Sequence, residues 1–521
     1  MLSYRNDAAD LSPALARTQR AWVGYFVVFL LALATYVISA APGVLWQDSG
    51  IAQIRVLRGE VRGSLNLTLS HPLYYLIAMV FQYLPFSDSA YKTNLVAAFF
   101  GAVTVANVYL FLLIAVRQRF GAALGALSLL VAHTFWQHSA IAEVYTVSTS
   151  LMTAELLCFQ QFVLTQRSRW LVLLFLANGL GVSNHMLAVL SLACYAVWCG
   201  WLLLRGRVGA GVLAACALVW LAGASVYLTL IVREVLGGVP VLKALASASV
   251  GAYSENVLNF RITPALLIQS VLYIGLNFPT PLILVIIPGF LAVRRLDAGR
   301  RFVLFGLLAV HTIWAVRYNV RDQYVFFIPT VLMLAIFIGF GCARLTERPA
   351  KGRRAALLLA ALLPPIVYCF LPTIARRVGL DMGLGREIPF RDSYDYFLLP
   401  WKTGYRGPQH FVAEVQKCLP PDSVLVADST SVRPLHYAEL TGHWRKDIRV
   451  YPPLDETPAG FARFTEDKLT KELADGRVFV VSPKRGYCPA WLLNKYEMKK
   501  VGFLYQVVGR RPPGADTHAR P

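Results

Sequence analysis

Apolar segments long enough to cross a bilayer recur along the first three-quarters of this 521-residue chain. They lie near 22–41, 94–116, 121–137, 144–165, 170–183, 187–204, 209–232, 266–292, 302–316, 324–343 and 355–375. A helix of about 20 apolar residues spans the hydrocarbon core, where every backbone N–H and C=O must be satisfied internally. The eleven runs therefore predict an α-helical polytopic membrane protein, with 170–183 and 302–316 the shortest. A composition of 56% hydrophobic and only 15% charged residues, with mean hydropathy +0.53, excludes an ordinary soluble domain. Segment 22–41 is too long for a signal h-region and shows no clear cleavage site, so a retained first span is expected.

The loops between these segments alternate in chemistry. Arg117/Arg119, Arg167/Arg169, Arg205/Arg207, 294–301 and 344–354 hold almost nothing but basic and small residues. The intervening loops carry Trp46-Gln47-Asp48-Ser49-Gly50, Ser70-His71-Pro72, 138–143, Asn184-His185 and 317–322. Lys and Arg resist translocation. With the N-terminus inside, inner loops and tail hold 18 Lys/Arg against nine outside, and the remaining 23 of 50 fall beyond residue 375. The bias predicts a cytoplasmic N-terminus, an extracytoplasmic C-terminus and one chemically active outer face. A net charge of +21 invites a nucleic-acid reading, but inner-face arginines meeting anionic membrane lipids account for much of it, and no nucleic-acid partner is expected. The Arg-rich, sequon-poor chain leans toward a bacterial inner membrane.

The run 71–86, bracketed by Pro72 and Pro85, is short for a span, and a crossing there would invert the arginine bias. It reads as an in-plane or re-entrant helix within a long outer loop, 42–92. Residues 51–62 set Ile51, Ile54, Leu57 and Val61 against Arg55, Arg58, Glu60 and Arg62, which predicts a helix lying on the membrane. From about 376 the apolar runs shorten to strand length at 424–427, 448–451, 478–481 and 503–508, with helical stretches near 408–418, 433–441, 461–474 and 489–498. Two domains follow: a transmembrane domain at 1–375 and a small extracytoplasmic α/β domain at 376–521. Six of eight cysteines lie in apolar spans; Cys418 and Cys488 lie in the tail, either bridged or free.

Asp48 follows a span end, where ionised groups need a reason to exist. Two roles are open to it, a cap for the next helix or a general base on an acceptor hydroxyl. Trp46 reads as an interface anchor. His71, His138, Glu143, Asn184, His185, Arg317, Arg321, Asp322 and Tyr324 fall at the same outer edge. Singly each suits an interface residue; together they suit a pocket with an acid, an imidazole and a phosphate-binding arginine pair. His138 and Glu143 are five apart, which is no helical zinc spacing. No obligatory cofactor or metal is expected, a divalent ion being possible but not required. No Walker-type loop is present, so a donor activated in advance fits better than direct ATP use.

The strings Trp46 to Gly50, Ser70-His71-Pro72-Leu73-Tyr74, Phe135-Trp136 through Ala142-Glu143-Val144-Tyr145, and Gly179 to His185 run in order along the chain. Asn319-Val320-Arg321-Asp322-Gln323-Tyr324 and Phe326-Phe327-Ile328-Pro329 continue them, and Asp422 to Asp428 in the tail adds to them. This ordered set resembles the GT-C class of integral-membrane glycosyltransferases, in the branch similar to protein O-mannosyltransferases. The resemblance implies a helical bundle whose long first outer loop carries the catalytic carboxylate. It also implies a polyprenyl-phosphate-sugar donor, an acceptor protein, lipid or glycan, and inversion at the sugar. Asp48 takes the place of that carboxylate, although the acidic pair often seen there is reduced to one, beside Gln47. Glu143 would then orient sugar or acceptor, and Arg317 or Arg321 would stabilise the leaving lipid phosphate. Two other readings are a lipid or solute transporter and a non-catalytic polyprenyl-lipid-binding scaffold. A transporter should place ionisable groups mid-span in matched halves, whereas here they sit at outer ends beside a 146-residue outer domain.

Overall fold

The structure, a computed structural model, describes residues 8–511 apart from 64–65, 87, 258, 349–350, 381–386, 456–460 and 462–463, with side chains from residue 21, Ala252 excepted. Ala21–Ser39, Ser89–Val116, Tyr145–Thr165, Ala210–Leu236, Ala298–Arg317 and Gln323–Leu345 are each helical, long and apolar enough to cross a membrane. Three further expected spans are bent. Arg119–Leu130 turns by 68° into His133–Ser139, Pro264–Asn277 by 103° into Pro281–Val293, and Lys351–Leu362 by 41° into Pro364–Arg377. Segments 121–137, 266–292 and 355–375 are thus not straight rods. Pro279 and Pro281 at the second break, and Pro364 and Pro365 at the third, lack the N–H that would continue a helix and crowd the preceding turn. Arg169–Asn184 and Ala188–Leu204 have 16 and 17 residues, short of the roughly 20 a full crossing needs. Length alone therefore supports six spans among the described residues, or up to nine if each bent pair counts as one, against the eleven expected.

Close backbone contact fixes the short helices. A Cβ on Gly179 would meet the Trp220 carbonyl oxygen at 2.3 Å, and one on Gly223 would meet that of Leu176 at 2.8 Å. Such small-residue contact is how apolar helices lock together where no water drives them. It seats Arg169–Asn184 against Ala210–Leu236 and so sets the turn carrying His185. Two histidines within the helices are held by hydrogen bonds: His133 Nε2 lies 3.0 Å from the Leu398 carbonyl and His311 Nε2 3.1 Å from Ser191 Oγ.

The loop 42–92, read as the first outer one, forms helices Gln47–Arg58 and Pro72–Phe81. The first helix does not lie on lipid by its Ile/Leu stripe. Ala52, Gln53, Ile54, Arg55 and Val56 are buried and Leu57 is exposed, because protein covers this helix from above. Trp46 is buried for the same reason, packs on Phe411 at 5.5 Å and donates from Nε1 to the Tyr405 hydroxyl at 2.7 Å. It anchors a domain contact rather than the membrane interface.

That cover is the tail. Strands β1 (Val424–Val426), β2 (Arg449–Tyr451), β3 (Val478–Val480), β4 (Tyr496–Val501) and β5 (Leu504–Arg510) form one mixed sheet in the order β2-β1-β3-β5-β4. β1 runs parallel to β2 and β3, while β5 is antiparallel to β3 and β4. The expected helix at 489–498 is corrected: Ala490–Lys495 is helical, and the chain then enters β4. Strand periodicity divides the buried side chains. Leu425, Val450, Phe479 and Leu504 face a core shared with Leu45, Trp46 and Ile141 of the helix-connecting loops, and Val424, Val426, Val478 and Val507 face a second core. Lys402 N donates to the Ser39 carbonyl at 2.7 Å and Thr403 Oγ1 to that of Ile38 at 2.7 Å, tying the domain to the end of the first helix. All eight cysteines are free; Cys418 is exposed and Cys488 is buried in the second core.

Candidate active site

Two cavities, of about 910 and about 600 Å³, lie beneath the sheet domain. Every loop read as outer contributes to their walls, through residues 48–75, 142–145, 185, 253–256 and 318–322. None of the arginine-rich loops does. The cavities share Asp48, Glu143, Tyr145, Tyr253, Arg321 and Asp322, so they meet at a carboxylate cluster.

Asp48 sits in the first turn of Gln47–Arg58, where the positive end of the helix dipole favours an anion. Its carboxylate makes no hydrogen bond among the described residues and the helix has no side-chain cap, so the capping role falls away. The side chain is exposed, and the space it faces is that of the two cavities. Burial raises its pKa above the ordinary value, and Arg433 pulls it back down. Arg433, itself lowered to about 10 by burial but partly restored by Asp48 and Asp428, keeps its charge at neutral pH. Gly50 makes this approach possible: a Cβ there would lie 2.6 Å from the Leu45 carbonyl and 2.8 Å from Arg433 Cβ. Gly50→Val should therefore cost about 1–3 kcal/mol, as overpacking does, and displace Arg433; thermal unfolding in detergent, read beside activity, checks it.

Glu143 accepts from Ser49 Oγ at 3.4 Å. Burial, then the charges of Asp48 and Asp322, push its pKa well up, which favours its protonated form. Burial and Asp48 raise Asp322 to about 6. Acids whose environments raise their pKa values through different causes can divide the roles of base and donor between them. Among the described residues no group of three or more His, Cys, Asp or Glu side chains is arranged to hold a metal ion.

The other expected site residues divide. His71 and His185 line the larger cavity, His138 and Tyr324 the smaller, and Arg321 both. His138 Nδ1 donates to the Thr134 carbonyl at 2.8 Å, which leaves Nε2 as its acceptor. Asn184 is not a wall residue. It is fully buried, its Nδ2 donates to the Val144 carbonyl at 3.0 Å and Ser148 Oγ at 2.7 Å, and its own carbonyl accepts from His71. Arg317 also leaves the set: its guanidinium donates to the Val257 and Asn259 carbonyls and stacks on Phe260 and Trp314. It is the last residue of helix Ala298–Arg317, and the chain has left the helix where Arg321 reaches the cavity.

Several wall residues escaped the sequence reading. Arg55 looked like the solvent face of an amphipathic helix. It is buried, with Nη1 on the Leu69 carbonyl and Tyr75 hydroxyl at 2.9 Å each and Nη2 on the Ser70 carbonyl at 3.0 Å. No carboxylate pairs with it among the described residues, so it presents an uncompensated cation to the larger cavity. Arg433, Leu454, Asp455, Arg485 and Tyr487 come from the tail. They occupy the segments following parallel strands β1, β2 and β3, and the carboxyl edge of such a sheet is where α/β domains present ligand contacts. That rule, applied to the expected strands, was the available signal.

Residues 65–206 match the family model described as the protein O-mannosyl-transferase TMEM260 N-terminal domain. The match spans the His71, Glu143 and His185 strings, while Asp48 and Arg321 lie outside it. No curated protein sequence matches the chain. Among solved structures, ArnT from Cupriavidus metallidurans bound to undecaprenyl phosphate aligns with a TM-score of 0.57 at 16% identity, over 93% of this chain and 98% of that one. The same protein in the apo state gives 0.55 at 16%, over 94% and 98%. At this identity the likeness is one of fold, and it extends from end to end. The chain is a multi-pass membrane protein that resembles the GT-C glycosyltransferases, as its motif strings imply.

Proposed function

We propose that this chain is an inverting membrane glycosyltransferase that moves a sugar from a polyprenyl-phosphate donor to an acceptor hydroxyl. The observation that carries the reading is that two separate cavities converge on Asp48, as a two-substrate reaction requires. The acceptor oxygen attacks the sugar C1, the bond from C1 to phosphate oxygen breaks with its electron pair going to phosphate, and Asp48 takes the hydroxyl proton. Protonated Glu143 orients a substrate hydroxyl. Arg433 supplies the positive charge beside the base, so the scheme requires no metal.

The larger cavity suits the donor. Arg55 and Arg321 are cations on its wall, and the helix Pro264–Asn277 turns Gln269 and Tyr273 inward while exposing Leu267, Ile268, Val271 and Leu272, a surface on which a polyprenyl tail can lie. The smaller cavity, walled by Trp46, Tyr324, Tyr396, Phe397, Arg485 and Tyr487, suits the acceptor, and the sheet domain would select it. This division assigns residues 1–375 to donor chemistry and 376–521 to acceptor recognition. Counting the two short helices as spans gives eleven crossings and puts all the cavity-forming loops outside, with the N-terminus cytoplasmic, in a bacterial inner membrane.

Arg321→Gln should raise the donor KM or lower kcat/KM about 10–100-fold, the size of a lost charge-assisted contact. Arg317→Gln should leave transfer by the folded protein near wild type. Steady-state kinetics with labelled polyprenyl-phosphate hexose separates the two, and NMR of the product anomer tests inversion. Equal losses in both variants would refute the phosphate assignment; retained configuration would refute the single displacement.

A further inference from the structure

In the larger cavity two imidazoles have their hydrogen-bonding senses fixed in opposition. His71 Nδ1 lies 2.9 Å from the Asn184 carbonyl oxygen. A carbonyl only accepts, so Nδ1 carries the proton and Nε2 of the neutral ring is an acceptor. In His185 the roles reverse. The Leu187 N–H donates to its Nδ1 at 3.1 Å, so Nε2 of the neutral ring carries the hydrogen. The rings stack with centroids 4.9 Å apart and planes 20° from parallel. Neither Nε2 has a protein partner among the described residues, and neither is among the buried unsatisfied atoms, so both open onto the cavity their side chains line.

The arrangement is held at a backbone cost. His71 has φ +47°, a left-handed conformation that a residue other than glycine rarely adopts. It directly precedes Pro72 at the start of the next helix. We propose that this pair reads neighbouring hydroxyls on the sugar of the lipid-linked donor, selecting a neutral polyhydroxylated ring over a charged one. The inference rests on the donor reading of the larger cavity. A hydroxyl both donates and accepts, so it satisfies either Nε2. A phosphate or carboxylate offers acceptors only and would face the lone pair of His71. An ammonium offers donors only and would face the N–H of His185. Burial keeps both rings neutral: His71 is lowered to about 4, and His185, pressed further by its neighbour, falls well below its usual range. Arg55, also on the wall, opposes a charge on His71 and offers the phosphate the charge that the neutral rings do not.

The test is binding, which needs no turnover. The purified full chain in lipid nanodiscs is titrated with polyprenyl phosphate, with polyprenyl-phosphate hexose and with the corresponding amino-hexose lipid. In wild type the neutral hexose should tighten binding about tenfold over polyprenyl phosphate alone, as one or two neutral hydrogen bonds would, and the amino-hexose should add less. His185→Phe keeps a stacked ring and should erase the increment while leaving polyprenyl phosphate affinity unchanged. His71→Gln, which retains an acceptor, should keep part of it, whereas His71→Phe should not. Equal weakening for both lipids, or no increment in wild type, would overturn the proposal. Failure of the transferase reading would appear separately, as an increment present without transfer.

Discussion

Asp48→Asn should lower kcat by about 10²–10⁴-fold while donor binding survives, the range spanned by loss of a general base. The isosteric amide cannot accept the acceptor's proton. Folding should be little affected, because the carboxylate caps no helix and makes no hydrogen bond among the described residues. One secondary change is expected. Removing the charge relieves Asp322, whose pKa of about 6 owes part of its elevation to Asp48, so Asp322 should ionise at lower pH in the variant. Single-turnover rates on donor-saturated protein give the first result, and carboxyl titration followed by infrared difference spectroscopy gives the second. A variant that binds donor and transfers at the wild-type rate would remove Asp48 from the chemistry.

The second large effect lies in the tail. Asp48 must be ionised to act, and it is ionised above its pKa. Burial raises that pKa and Arg433 lowers it. Arg433→Gln should therefore move the acid limb of kcat/KM to higher pH. Each unit between assay pH and the raised pKa costs about tenfold in the ionised fraction. The deficit should shrink as pH rises past both values. Arg433→Lys should restore most of the wild-type profile, since a charge suffices where no direct hydrogen bond joins the pair. A uniform loss at every pH, unrepaired by Lys, would mean that Arg433 acts by packing on Gly50 instead of by charge.

The sequence made much of the candidate site legible for one reason. Arginine-rich and other polar loops alternate along the chain, the arginine-rich ones stay out of both cavities, and the others carry Asp48, His71, Glu143, His185, Arg321 and Asp322. Arg317 and Asn184 shared that edge but turned elsewhere, since their position fixes depth and not direction. Arg55 was misjudged because helical periodicity assigns charge to solvent, and only a covering domain turns that face inward. Arg433 and Arg485 were hidden because their contact depends on docking the carboxyl edge of the sheet, a relation that no local pattern carries. Strand β4 was hidden by Glu497, Lys499 and Lys500, whose charges suit an exposed edge strand and imitate a helix surface. The bends at Pro281 and Pro364 were readable as breaks, though not the 103° of the first.

The central claim is that two substrates meet at Asp48. Its most direct test is sugar transfer by the purified full chain in a bilayer, offered radiolabelled polyprenyl-phosphate hexoses with candidate hydroxyl acceptors, and run beside Asp48→Asn. The account predicts that label leaves the lipid for an acceptor with wild type and stays on the lipid with the variant. Intact, donor-binding wild type that moves no label from any hexose lipid to a protein, lipid or glycan acceptor would contradict it and favour a protein that binds or carries the lipid.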